Sequence, residues 1–134
     1  MEQKINARFI IQIAGKPIEN VEKALEIVLN KLKEENKFKV LESEIVEAEL
    51  DELTTLYSGF IDILIRFNDV KDILGFIVDY TPNSVDVEEP ENISFTCNEF
   101  TGILNDMSSN LLKSANEIRQ LRAHIHLMNN TSKK

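Results

Sequence analysis

The chain has 134 residues, near the size of one ordinary domain, and its 43% hydrophobic and 28% charged side chains with four Gly and three Pro are those of a globular protein, not a disordered or fibrous one. Its net charge of -8 speaks against a nucleic-acid binder, whose footprint is a strong positive field. No apolar run approaches the roughly 20 residues that span a bilayer, and MEQKINARF lacks the apolar stretch of a secretory signal, so the expected location is the cytoplasm, with no membrane partner.

Charge is unevenly spread. Residues 1–36 balance six basic with six acidic side chains, residues 37–106 carry four and sixteen, and residues 107–134 carry five and one. An acidic middle therefore precedes a basic end, and the acidic residues are read as solvated faces that maintain solubility. With no Trp and few other aromatic residues, the core is expected to be aliphatic. The single cysteine, Cys97, has no partner for an internal disulfide and fits a reducing compartment.

Residues 5–14 (INARFIIQIA) place Ala7, Phe9, Ile11 and Ile13 on one face and Arg8, Ile10 and Gln12 on the other, the period of a strand. Gly15 and Pro17 interrupt it. Ile18, Val21, Leu25, Val28 and Leu32 then recur at helical spacing as far as Glu35. In residues 37–49 (KFKVLESEIVEAE) the apolar face changes partway, which predicts a strand with a bulge or bend; a helix from about residue 41 competes with it. After the connection LDELTTLYSG, residues 60–67 (FIDILIRF) put Ile61, Ile63, Ile65 and Phe67 on one face of a central strand. Asn68 or Asp69 then caps a helix with the stripe Val70, Ile73, Leu74, Ile77 and Val78, in which Gly75 is placed to allow close packing on the sheet. Thr81-Pro82-Asn83 ends that helix, and residues 84–88 (SVDVE) read as a last strand stopped by Pro90.

The order β-α-β-β-α-β followed by one long helix resembles the ferredoxin-like superfold over about residues 5–90. It is also similar in layout to conserved archaeal proteins of unassigned function, a likeness that carries no site residues. The resemblance implies an α+β fold: an antiparallel sheet with the first and third strands adjacent and central, and both helices on one face. The other face then holds Ile10, Phe60 and Leu64 beside Arg8, Asp62 and Arg66. Apolar residues there predict a cover, from the C-terminal helix or a second subunit. Arg8, Asp62 and Arg66 are expected to form either a cross-strand salt bridge or a site for an anion or small metabolite, as in ligand-sensing domains of this layout.

The C-terminal segment is the most informative. Thr96 and Glu99 match a capping box, so a helix should begin near Cys97. Phe100, Leu104, Met107, Leu111, Ser114, Ile118, Leu121, Ile125 and Met128 follow at alternating spacings of four and three, a heptad row broken only by Ser114. With Leu104, Leu111, Ile118 and Ile125 at a positions, Glu117 falls at g and Arg122 at the following e, the offset at which opposite charges meet in a parallel pair. Ile103 and Leu112 widen the apolar face of residues 100–112, which favours packing of that half on its own domain. The half from Ser114 to Met128 extends roughly 22 Å further and is expected to contact another chain through Leu111, Ser114, Glu117, Ile118, Leu121, Arg122, Ile125 and Met128.

Other candidate chemistry reads blandly. Cys97 at a helix start can have a lowered thiol pKa, but no histidine is near it in sequence and small buried cysteines are common. His124 and His126 stand two apart, not at the i, i+4 spacing of a helical metal pair. AGKP after the first strand lacks the glycines and the Ser or Thr of a phosphate loop. Glu42, Glu44, Glu47, Glu49, Asp51 and Glu52 lack the spacing of a calcium loop and read as a solvated strand edge.

These residues predict an α+β domain over 1–92, a helix with coiled-coil character over 93–129 and a flexible tail over 130–134. The functional expectation is a non-enzymatic protein that self-associates, as a homodimer, through its C-terminal helix and holds a protein partner, with no cofactor and no metal. A small-molecule-sensing regulatory domain is the alternative.

Overall fold

The alternation in residues 5–14 becomes β1 (Ile5–Gly15), in which Ile5, Ala7, Phe9 and Ile11 are buried. The computed structural model describes residues 4–132. α1 (Ile18–Glu34) buries Val21, Leu25, Leu29 and Leu32. β2 (Phe38–Asp51) and β3 (Leu56–Phe67) form a hairpin, α2 runs from Val70 to Tyr80, and β4 covers Ser84–Glu89. α3 follows as Cys97–Ser132. The strands form one sheet in the order β2-β3-β1-β4 with every neighbouring pair antiparallel. This is the ferredoxin-like arrangement, with β1 and β3 central.

Register carries the pattern into the core. Ala7 pairs with Ile65, Phe9 with Ile63 and Ile11 with Ile61, so the apolar faces of the two central strands coincide, and α1 and α2 cover them. Phe76 of α2 lies with its ring centroid 4.3 Å from that of Phe9 and 6.0 Å from that of Phe67. Phe38 of β2 joins at 5.5 Å from Phe67. The core is therefore not purely aliphatic, as composition suggested: four of the seven phenylalanines, one each from β1, β2, β3 and α2, gather into one edge-to-face cluster. Composition counts residues; it does not show that scattered ones converge.

The competing helix from residue 41 does not form. β2 stays extended for 14 residues and absorbs the change of face through register shifts between Val40 and Glu42 and between Val46 and Glu49. These bulges keep Ile45 opposite Ile61 and let Ala48 be buried. The connection to β3 is also tighter than LDELTTLYSG implied. Thr55 adopts the left-handed region at φ 60°, its N–H donating to the Asp51 carbonyl at 2.8 Å, while the Asp51 carboxylate accepts from the Leu53 N–H at 3.0 Å. β3 thus begins at Leu56 and includes Gly59.

Gly59, not Gly75, is the glycine that close packing requires. A Cβ at Gly59 would lie 2.5 Å from a Leu25 methyl and 3.2 Å from the Val46 carbonyl oxygen, whereas one at Gly75 meets nothing within 4 Å. Asp69 caps α2 by accepting from the Lys71 N–H at 3.0 Å, and Thr81 closes the helix in the left-handed region at φ 42° with its N–H on the Ile77 carbonyl.

α3 is a unit of its own from Phe95 onward. The capping box is reciprocal: the Thr96 hydroxyl accepts from the Glu99 N–H at 3.1 Å and the Glu99 carboxylate accepts from the Thr96 N–H at 3.3 Å. The helix has 36 residues and is about 54 Å long. It continues through 130–132, which were expected in a flexible tail; residues 133–134 lie outside the described residues.

Candidate functional site

Two features stand out, one in each unit. On the sheet face away from α1 and α2, Arg8 of β1 meets a carboxylate from each of the other three strands. Its Nε donates to Glu88 at 2.8 Å, Nη1 to Asp62 at 2.9 Å and Nη2 to Glu42 at 3.1 Å. The register explains the reach: Glu42, Leu64, Arg8 and Asp86 form one row across the sheet. Arg8 therefore extends past Leu64, which is buried, to the far edge strand. The Glu88, Asp62 and Glu42 carboxylates, in that order of effect, hold the guanidinium well above its already high ordinary pKa. The charge stays fixed at any physiological pH, and the three carboxylates leave the cluster with an excess of negative charge.

Arg66 is engaged elsewhere. Its Nε donates to the Asn6 side-chain oxygen at 3.0 Å, and the Asn6 amide donates to Glu89 at 3.3 Å; Asn6 is the buried polar residue of β1. Of the three residues singled out from sequence, the structure brings Arg8 and Asp62 together as an ion pair and sets Arg66 apart on Asn6. Glu42, Glu88 and Asn6 were missed. Glu42 and Glu88 reach Arg8 beside register shifts, at Val40/Glu42 in β2 and opposite Asn6/Ala7 in β4, which no period of two reveals. A shallow hollow lined by Phe38, Gly75, Phe76 and Tyr80 lies between β2 and α2, and Arg8 is not part of it.

The second feature is the apolar row of α3. Phe100, Leu104, Met107, Leu111, Ile118, Leu121, Ile125 and Met128 are all between 42% and 65% exposed. Ile103 is buried, whereas Phe100, Leu104, Met107, Leu111 and Leu112 are exposed. Ser114, Glu117 and Arg122, the polar members of the expected interface, are exposed as well. Cys97 is a free, exposed thiol. The His126 ring contacts the Asn130 side chain at 3.1 Å. Among the described residues no group of three or more His, Cys, Asp or Glu is arranged to hold a metal ion, and no helix is long and apolar enough to cross a membrane.

A family model described as the MJ0538 family matches residues 6–131, from β1 to the last turn of α3. No curated protein and no solved structure matches the chain.

Proposed function

The chain belongs to the MJ0538 family, whose model takes in sheet and helix alike, and from that premise we propose that it is a non-enzymatic, cytoplasmic assembly protein. It self-associates as a dimer through α3 and holds a protein partner through its acidic sheet unit or basic helix end. The observation that supports this reading is the exposed heptad row. Covering the remaining half of a large apolar side chain contributes about 1 kcal/mol, and eight such side chains from each of two chains are enough to offset the rigid-body cost of association, about 4–15 kcal/mol.

Light scattering of the full chain and of an Ile118→Lys chain across a range of concentrations tests it. The full chain is expected to be a dimer and the variant a monomer. The melting of the sheet unit should be unchanged, because Ile118 is half exposed and lies outside that unit's core. A full chain that stays monomeric at high concentration removes the basis of the reading.

The alternative, a small-molecule-sensing domain with its site at Arg8, Asp62 and Arg66, finds support in the concentration of charge on that sheet face. Three carboxylates already engage Arg8, so an anionic effector would meet an excess of negative charge there. A thermal-shift screen decides the matter: a ligand at a hundred times its dissociation constant stabilises the fold by about 2.7 kcal/mol, and a metabolite panel with no such response ends this alternative.

A further inference from the structure

We infer that the partner at the α3 surface is a second copy of this chain in one orientation, parallel and in register, an inference that rests on the assembly reading above. Two features of the exposed row choose between orientations. First, in a parallel in-register pair each a or d residue meets its own counterpart, so Ser114 faces Ser114 and the two hydroxyls, each both donor and acceptor, satisfy one another. An antiparallel pair that engages the row from Cys97 to Met128 sets a layers against d layers. Ser114 then lies opposite Leu111, and each hydroxyl is buried against an aliphatic chain, which costs free energy.

Second, Glu117 and Arg122 are exposed, and among the described residues neither forms an ion pair within its own chain. Parallel pairing joins Glu117 of each copy to Arg122 of the other, twice per dimer. Antiparallel pairing sets Glu117 against Asn110 and Arg122 against Thr101, and both charges stay unpaired. Within a parallel coil, β-branched Ile118 and Ile125 at a positions with Leu121 at d is the pattern that favours two strands over three. Parallel pairing also brings the two Cys97 side chains, free and exposed at the first a position, to the same end of the dimer.

Mixing two charge variants of the full chain separates the orientations. In a Glu117→Lys chain or an Arg122→Glu chain, parallel pairing sets like charges together in both symmetric contacts, so each variant alone should dimerise about tenfold more weakly than the wild type. In an equimolar mixture the altered Lys meets the altered Glu and the native Glu meets the native Arg, so dimers should return to near wild-type affinity. Mild oxidation of the wild type should give a disulfide-linked dimer through Cys97.

Wild-type dimers whose single charge variants associate normally, with no gain on mixing, would overturn the parallel register and leave the assembly reading standing. In that case a Met128→Cys chain should form a Cys97-to-128 link between copies. A wild type that is monomeric throughout would overturn both.

Discussion

In the sheet unit, the inward positions of β1 and β3 are buried beneath α1 and α2, and the charged residues of the opposite face find partners on neighbouring strands. In α3, a row of large apolar side chains from Phe100 to Met128 stands half exposed. The two regions draw on the same residue types and differ in where burial is completed. The sheet unit closes its core within the chain. The long helix secures its start with a reciprocal capping box and leaves its apolar row half exposed. On the proposed reading, stability belongs to the first region and association to the second.

The widest separation between them should come from the aromatic cluster. Phe67 is fully buried and touches Phe9, Phe38 and Phe76, so Phe67→Ala should cost about 3–5 kcal/mol in denaturant unfolding. Ile118→Lys, measured in the same way, should leave that transition in place. If both substitutions destabilise the sheet unit alike, the division of labour collapses.

A finer contrast lies in two glycines within the sheet unit. Gly59→Ala must push on Leu25 and the Val46 carbonyl and should cost about 1–2 kcal/mol. Gly75→Ala enters open space in the interior of α2 and should gain about 0.5–1 kcal/mol, because alanine loses less backbone freedom in a helix. Opposite signs in chemical denaturation would support the packing described for β3; equal signs would count against it.

Much of this was legible in the residues because periodicity is local. The alternation of β1 and of Ile61, Ile63, Ile65 and Phe67, the Asp69 cap and the Thr96–Glu99 box are set by neighbours within a few positions, and each appears where the pattern placed it. The errors were non-local. That Gly59 lies under Leu25, that Glu42 and Glu88 converge on Arg8, and that four phenylalanines meet all depend on register shifts and on which strands become neighbours. For the same reason Arg66 is expected beside Arg8 and Asp62: alternation puts the three on one face, but only the register assigns Arg66 to Asn6.

The sheet has two open margins, β2 and β4, and each offers unpaired backbone groups to any passing strand. β4 carries Asp86, Glu88 and Glu89, and β2 carries Glu42, Glu44, Glu47, Glu49 and Asp51. Two molecules approaching margin to margin would set carboxylates against carboxylates, so strand addition, the route by which exposed sheets run on into aggregates, is disfavoured on both sides. In the proposed assembly the two kinds of contact therefore differ: the one that would propagate without limit is repelled, and the one through the helix closes after two copies.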